Sequence, residues 1–197
     1  AHVSEIASVP YDVINSAEAR VLAEGKGRSF LHVIRPEIDL PEGTDLYSDI
    51  VYDTAAINLR RWLEELNYEP RDGAMFVYRL VREGRAQVGV VGARSVDEYD
   101  AGGIAIHERT RQKKEDDRTR HVVTMRCQAE PIFLAYRANK VIDGLVAAAM
   151  EDIPRFDFYA DDGVRHTLWD VEDPGGLAAA FEEVPRLYVA DGHHRAK

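Results

Sequence analysis

The stretch Leu187-Tyr188-Val189-Ala190-Asp191-Gly192-His193-His194-Arg195 sets the reading of the whole chain. Leu187 to Ala190 is a short apolar run, the pattern of a buried strand end. The run breaks at Asp191-Gly192, where a missing Cβ permits a tight turn and close approach to the backbone. His-His-Arg then falls where the first turn of a following helix begins. A strand, a glycine turn and a helix start aim free N–H groups and the positive end of the helix dipole at one spot. The planar fork of Arg195 completes what reads as an anion site. The plainer alternative is a β-turn with a solvated basic tip. The sequence stops two residues after Arg195, before that helix completes a turn, which suggests a piece of a longer protein.

Upstream, residues 107–121 read His-Glu-Arg-Thr-Arg-Gln-Lys-Lys-Glu-Asp-Asp-Arg-Thr-Arg-His. Ten of these fifteen are formally charged and none is an aliphatic or aromatic core residue, so a helix here has no apolar face to pack through. As a helix it places His107, Arg111, Lys114, Arg118 and His121 along one face. Glu115 lies four residues after Arg111 and three before Arg118, where it can orient both guanidiniums. A solvated helix laced with ion pairs is the bland reading. A stripe facing a phosphate-binding cleft is the functional one.

The remaining chain alternates helix and strand signals. Asn15 with Glu18 forms a capping-box pattern for a helix over 17–24. Phe30 to Ile34 reads as a strand closed by Arg35-Pro36, and a Pro/Gly/Asp-rich loop follows to about Asp45. The clearest helix covers 47–67, with Leu59, Trp62, Leu63 and Leu66 at three- and four-residue spacing. Strands over 75–82 and 85–95 flank Glu83-Gly84 as a hairpin. A strand over 131–136 and a helix over 139–150 follow. A second hairpin, 156–160 with 164–171, turns at Asp161-Asp162-Gly163, and Pro174 opens a helix through Glu183. Helices mixed with at least two hairpins predict an α+β fold with a mixed sheet and flanking helices, a single domain over 1–197.

Composition narrows the function classes. A net charge of −10 argues against a general nucleic-acid surface, because phosphate backbones need a basic face. No apolar run reaches the ~18 residues of a membrane span, and the start shows no signal-peptide pattern. Cys127 is the only cysteine, so an intrachain disulfide and a cysteine-only metal cluster are excluded, in keeping with a reducing cytoplasm.

Taken in order, several motifs resemble one family. They are Pro10-Tyr11-Asp12-Val13-Ile14, Phe30-Leu31-His32-Val33 with Arg35-Pro36, and Asn58-Leu59. The long signature follows, His107-Glu108-x-Thr110-Arg111 with Lys114-Glu115-Asp116-Asp117-Arg118 and His121. Glu130-Pro131-Ile132-Phe133, Asp162-Gly163-Val164-x-His166-x-Leu168-Trp169 and Ala190-Asp191-Gly192-His193-His194-Arg195 complete the set. This order resembles the bacterial and archaeal family of unknown function numbered ten-fifteen, and the resemblance covers nearly the whole chain. It implies a cytoplasmic protein of roughly 400 residues, of which these residues are the N-terminal part. The Asp-Gly-x-His-Arg box is also similar to that of the free-serine kinases of the ParB/sulfiredoxin-like superfamily, which implies a nucleotide-binding core of that type with insertions. Those kinases use an acidic base and a divalent metal. The resemblance therefore implies ATP or ADP with Mg2+ as cofactors, and L-serine or a related hydroxyl compound as substrate. Their base lies in an early segment, near Asp12 or Glu18 here. Sulfiredoxin has a reactive Cys where this chain has His193, which excludes its sulfinic acid chemistry. The DNA-binding helix-turn-helix of ParB has no counterpart.

Phosphoryl transfer needs a phosphate cradle, cations, a metal ligand and a base. Gly192 with the N–H groups of His193, His194 and Arg195 supplies the cradle. Arg195, Arg111 and Lys114 supply positive charge, with His107, Arg118 and His121 on the same stripe. Asp191 is a candidate base or metal ligand, Asp12 a candidate base, and Glu115 a third acidic candidate. Two other readings stand beside the kinase: a non-catalytic nucleotide-binding sensor and a His-based metal-dependent hydrolase. A homo-oligomer is compatible with all three.

Overall fold

The computed structural model describes residues 3–66, 68 and 70–197. The chain divides into two compact units, each gathered from separate segments. The first holds residues 1–69, 108–133 and 191–197, and the second holds 70–107 and 134–190.

The first unit is helical: α1 (Val3–Ile6), α2 (Ser16–Ala23), α3 (Leu31–Ile34), α4 (Asp49–Glu65), α6 (Gln112–Met125) and α9 (His193–Ala196). Short 3-10 turns at Tyr11–Val13 and Pro36–Asp39 join them. α2 starts as the sequence predicts. The Asn15 side chain accepts the Glu18 N–H at 3.0 Å, and the Glu18 carboxylate accepts the Asn15 N–H at 2.8 Å. The Arg20 guanidinium then donates to the Glu37, Ile38 and Leu40 carbonyls and ties α2 to the Pro36–Asp39 turn.

The strand expected over 30–34 is a helical turn instead. Leu31, Val33 and Ile34 are all buried, and an apolar run buried on every side carries no period that separates strand from helix. The Ser29, Phe30 and Leu31 carbonyls accept the N–H groups of His32, Val33 and Arg35, closing helical turns. α4 follows the predicted helix, with Val51, Tyr52, Ala55, Asn58 and Leu59 buried along one face; residue 67, the predicted end, lies outside the described residues. Val33, Ala55, Leu59 and Met125 form one core cluster.

The second unit carries the strands, apart from the end residues Phe133 and Asp191. β1 (Phe76–Arg82) and β2 (Arg85–Val91) form the first predicted hairpin. Its turn residues Glu83 and Gly84 have φ of 50° and 77°, as a tight two-residue hairpin turn requires. α5 (Val96–Asp100), β3 (Ile104–Ala105), β4 (Phe133–Ala135) and α7 (Lys140–Ala149) follow. β5 (Phe156–Tyr159) and β6 (Arg165–Asp170) form the second hairpin, and α8 (Pro174–Glu182) leads to β7 (Leu187–Asp191). The larger sheet runs β2-β1-β6-β5 with antiparallel pairing throughout. The smaller runs β3-β7-β4, with β3 and β7 parallel. Ile142, Leu177 and Ala180 pack with Met75 and Val90, so α7 and α8 cover one face of the larger sheet. The protein is α+β, with antiparallel and mixed sheets and flanking helices. Among the described residues no helix is long and apolar enough to cross a membrane.

Candidate functional site

Gly192 makes the turn after β7. Its φ of 90° lies in the left-handed region, and a Cβ there would stand 3.0 Å from Arg195 Nε and 3.1 Å from Ile132. α9 starts at once, the Arg195 and Ala196 N–H groups each donating to the Gly192 carbonyl at 2.9 Å. The predicted strand, glycine turn and helix start are therefore present.

Arg195 is folded back over that glycine. Its Nη2 donates to Asp191 Oδ2 at 2.7 Å and its Nη1 to the Pro131 carbonyl at 3.0 Å, leaving the side chain 8% exposed. The guanidinium is thus already committed to protein oxygens and acts as a wall of the turn. Asp191, mostly exposed, is its ion-pair partner. His193 is buried, with Nδ1 3.6 Å from Glu108 Oε2. α6 packs beside α9.

Beneath this turn Arg118 of the charged stripe joins Tyr11 and Glu130, which the sequence reading quoted only within family motifs, in one polar network. Glu130, the residue before Pro131, accepts the Tyr11 N–H at 3.2 Å. Arg118 lies 4.1 Å over the Tyr11 ring and donates to Asp117 at 2.9 Å and 3.1 Å and to Glu130 at 3.4 Å. Asp117 also accepts the Tyr52 hydroxyl at 2.8 Å. Arg35 donates to the Tyr11 carbonyl at 3.2 Å, so Tyr11 is held at its N–H, its carbonyl and its ring. Burial pushes the Glu130 carboxyl above the usual carboxylate range, against the Tyr11 N–H and the Arg118 and Arg195 charges. Burial likewise raises the Tyr11 and Tyr52 hydroxyls. The sequence signal for Glu130 was a lone carboxylate directly before an apolar strand.

The predicted residues separate into those at this place and those elsewhere. Asp12 is exposed on the Tyr11–Val13 turn, and its charge, like that of Arg195, acts on both Tyr11 and Glu130. Arg111 is exposed at the N-cap of α6, and Lys114 is half-buried one turn along. Arg118 turns inward to the network. Glu115 accepts a hydrogen bond from the Thr110 hydroxyl. His107 precedes α6 and falls in the second unit, off the helical stripe. His121 is buried and bonded to the Val33 carbonyl at 3.2 Å. Burial, then the Arg118 charge, push its pKa down to about 4, so it is neutral near pH 7 and supplies no positive charge. Among the described residues no group of three or more His, Cys, Asp or Glu side chains is placed to hold a metal ion.

No curated protein and no solved structure matches the chain. One family model does, over residues 1–197, and its description is "Protein of unknown function (DUF1015)". The chain, with its Tyr11–Glu130–Arg118 network under the Asp191–Arg195 turn, belongs to that family.

Proposed function

We propose that this protein is a nucleotide-dependent small-molecule phosphotransferase with a ParB/sulfiredoxin-like core, acting on a hydroxyl compound such as free L-serine. The observation that carries the reading is a meeting of two turns at Glu130-Pro131. Glu130 accepts the Tyr11 N–H, and Pro131, one residue on, accepts from Arg195. The exposed carboxylate of Asp12 and the guanidinium of Arg195 both act on the charge of Glu130, which supports reading Asp12 and the glycine turn as the base and the cradle that phosphoryl transfer needs.

In this reading Gly192 and the N–H groups of His193 and His194 meet phosphate oxygens, since the Arg195 N–H expected in the cradle is donated to the Gly192 carbonyl. Arg195 fixes the shape of the turn, Arg111 and Lys114 add positive charge from α6, and Asp12 takes the proton of the acceptor hydroxyl. Asp191 is the residue for Mg2+ bound with the nucleotide, which would offset phosphate charge.

Calorimetric titration of ATP, ADP and CTP, each with Mg2+, into the wild type and Arg195→Ala tests the cradle. Micromolar binding is expected, weakened about tenfold or more in the variant. Arg195→Lys and a thermal melt of each variant separate loss of the site from loss of the fold. Asp12→Asn is expected to keep nucleotide binding and lose phospho-L-serine formation, read by phosphorus NMR. Binding without product from any small alcohol would favour the sensor reading, and no binding by the wild type would sink both.

A further inference from the structure

β2 is a seven-residue edge strand, and every residue in it except Val90 is exposed. Its register with β1 is unbroken from Arg82↔Arg85 to Phe76↔Val91, so no bulge twists it away. It contains no proline or lysine, and its single charge, Arg85, stands at its first position. Native proteins blunt exposed edges with short strands, charges, prolines or bulges, because a bare edge pairs with other chains. The opposite edge, β5, carries such devices: it has four residues, and Asp157 within it is paired to Arg165 at 2.6 Å. β2 has only the Arg85 charge, at its end.

We propose that β2 pairs with β2 of a second copy of this chain, antiparallel about a two-fold axis at Val88, to make a continuous eight-stranded sheet. Val88 is the middle residue of the strand, so an axis there engages all seven residues. Opposed pairs become Val88 with Val88, Gln87 with Gly89, Ala86 with Val90 and Arg85 with Val91. No charge meets a like charge. Each Gln87 side chain lies over a Gly89 whose Cβ position is open space. Ala86 and Val88 share the face of Val90, which already packs in the core cluster under α7 and α8, so the pairing extends an existing apolar surface.

Sedimentation equilibrium on the full chain tests this with Val88→Lys and Val88→Glu. The wild type is expected to be a dimer, and each variant alone to dissociate about tenfold more readily, because a like-charge pair stands at the axis. Mixing the two variants restores the dimer. At 40% exposure Val88 tolerates either side chain, and far-UV circular dichroism checks the fold. As a second measurement, Val88→Cys in a Cys127→Ser background gives a disulfide-linked dimer on oxidation. A monomeric wild type, variants that dimerise unchanged, or a mixture that stays monomeric each overturn the proposal.

Discussion

His32 and His121 stand in the same unit with opposite titration behaviour. His32 donates through Nδ1 to Asp39 at 2.8 Å, and Asp39 is fixed from behind by Asn58, also at 2.8 Å. The hydrogen bond to Asp39 outweighs burial and holds the imidazole pKa above its ordinary 6.5. For Asp39, burial is outweighed by the His32 hydrogen bond and charge, and its pKa lies below the ordinary value. A raised histidine contributes stability that is complete below pH 6.5 and is lost as pH rises through the folded value. The lowered Asp39 contributes stability that is present above its ordinary pKa and lost as pH falls through its folded one. His121 is depressed to about 4, so it contributes nothing unfavourable above 6.5 and destabilises as pH falls from 6.5 towards 4. The span corresponds to a loss on the order of 3 kcal/mol. Urea unfolding across this range is therefore expected to show His121→Gln with a shallower acid-side loss than the wild type. His32→Gln should instead flatten the decline above pH 6.5. Equal slopes in wild type and variant would refute the assignment for that residue. The sequence reading carried His32 as the one polar residue of the apolar run Phe30 to Ile34, and Asp39 is the partner that such a residue needs. It placed His121 on a cationic stripe, because helical spacing cannot tell which of two faces is turned inward.

α6 shows what that ambiguity conceals. Its inward face is Asp117, His121 and Met125, four residues apart and all buried. Only Met125 is apolar. The helix is held largely by hydrogen bonds: Tyr52 of α4 to Asp117, and His121 to Val33 of α3. A charged segment without an apolar face can therefore pack when each inward polar group has a partner. Those partners lie far off in sequence, so no local pattern reveals them. Elements defined by local chemistry were legible: the Asn15–Glu18 box, the Glu83-Gly84 turn and the Gly192 turn all stand where their residues imply. Tyr52→Phe tests the polar packing, since it leaves Asp117 without its donor from α4. Urea unfolding is expected to show a loss of about 1–3 kcal/mol. Lys113→Ala, on the exposed face of the same helix and over the Tyr47 ring at 4.1 Å, is expected to change stability by about 1 kcal/mol or less. Equal losses in both variants would mean that the buried hydrogen bond is not what fixes α6.

At the scale of the chain, the first unit is stitched from segments that cannot fold as neighbours. Tyr11 meets Glu130 across 119 residues, and Tyr52 meets Asp117 across 65. Periodicity finds elements but contains no information about such pairings, and for that reason the candidate site was only half legible. The Gly192 turn could be read from five adjacent residues, whereas Glu130, Tyr11 and Arg118 become a site only when three separate segments converge. The same logic fixes what a truncated chain does. A peptide of residues 1–69 retains α2, α3 and α4 but loses Met125 from the Val33–Ala55–Leu59 cluster. It also loses the acceptors of Tyr11 and Tyr52 and the ring contact of Arg118. It keeps the Arg20, Arg35 and Asn58 hydrogen bonds and the cluster of Tyr11, Ala19, Ala23, Leu31, Ile34 and Ile38, but α4 loses the helix that covers its buried face, and so small a core is marginal in water. Far-UV circular dichroism of that peptide should show a broad, weakly cooperative melt. Adding residues 108–133 as a second peptide should sharpen the melt and raise its midpoint, because α6 and Glu130 return together. A peptide 1–69 that melts cooperatively by itself, at the midpoint it reaches with its complement, would show that the long-range polar contacts are dispensable to this unit.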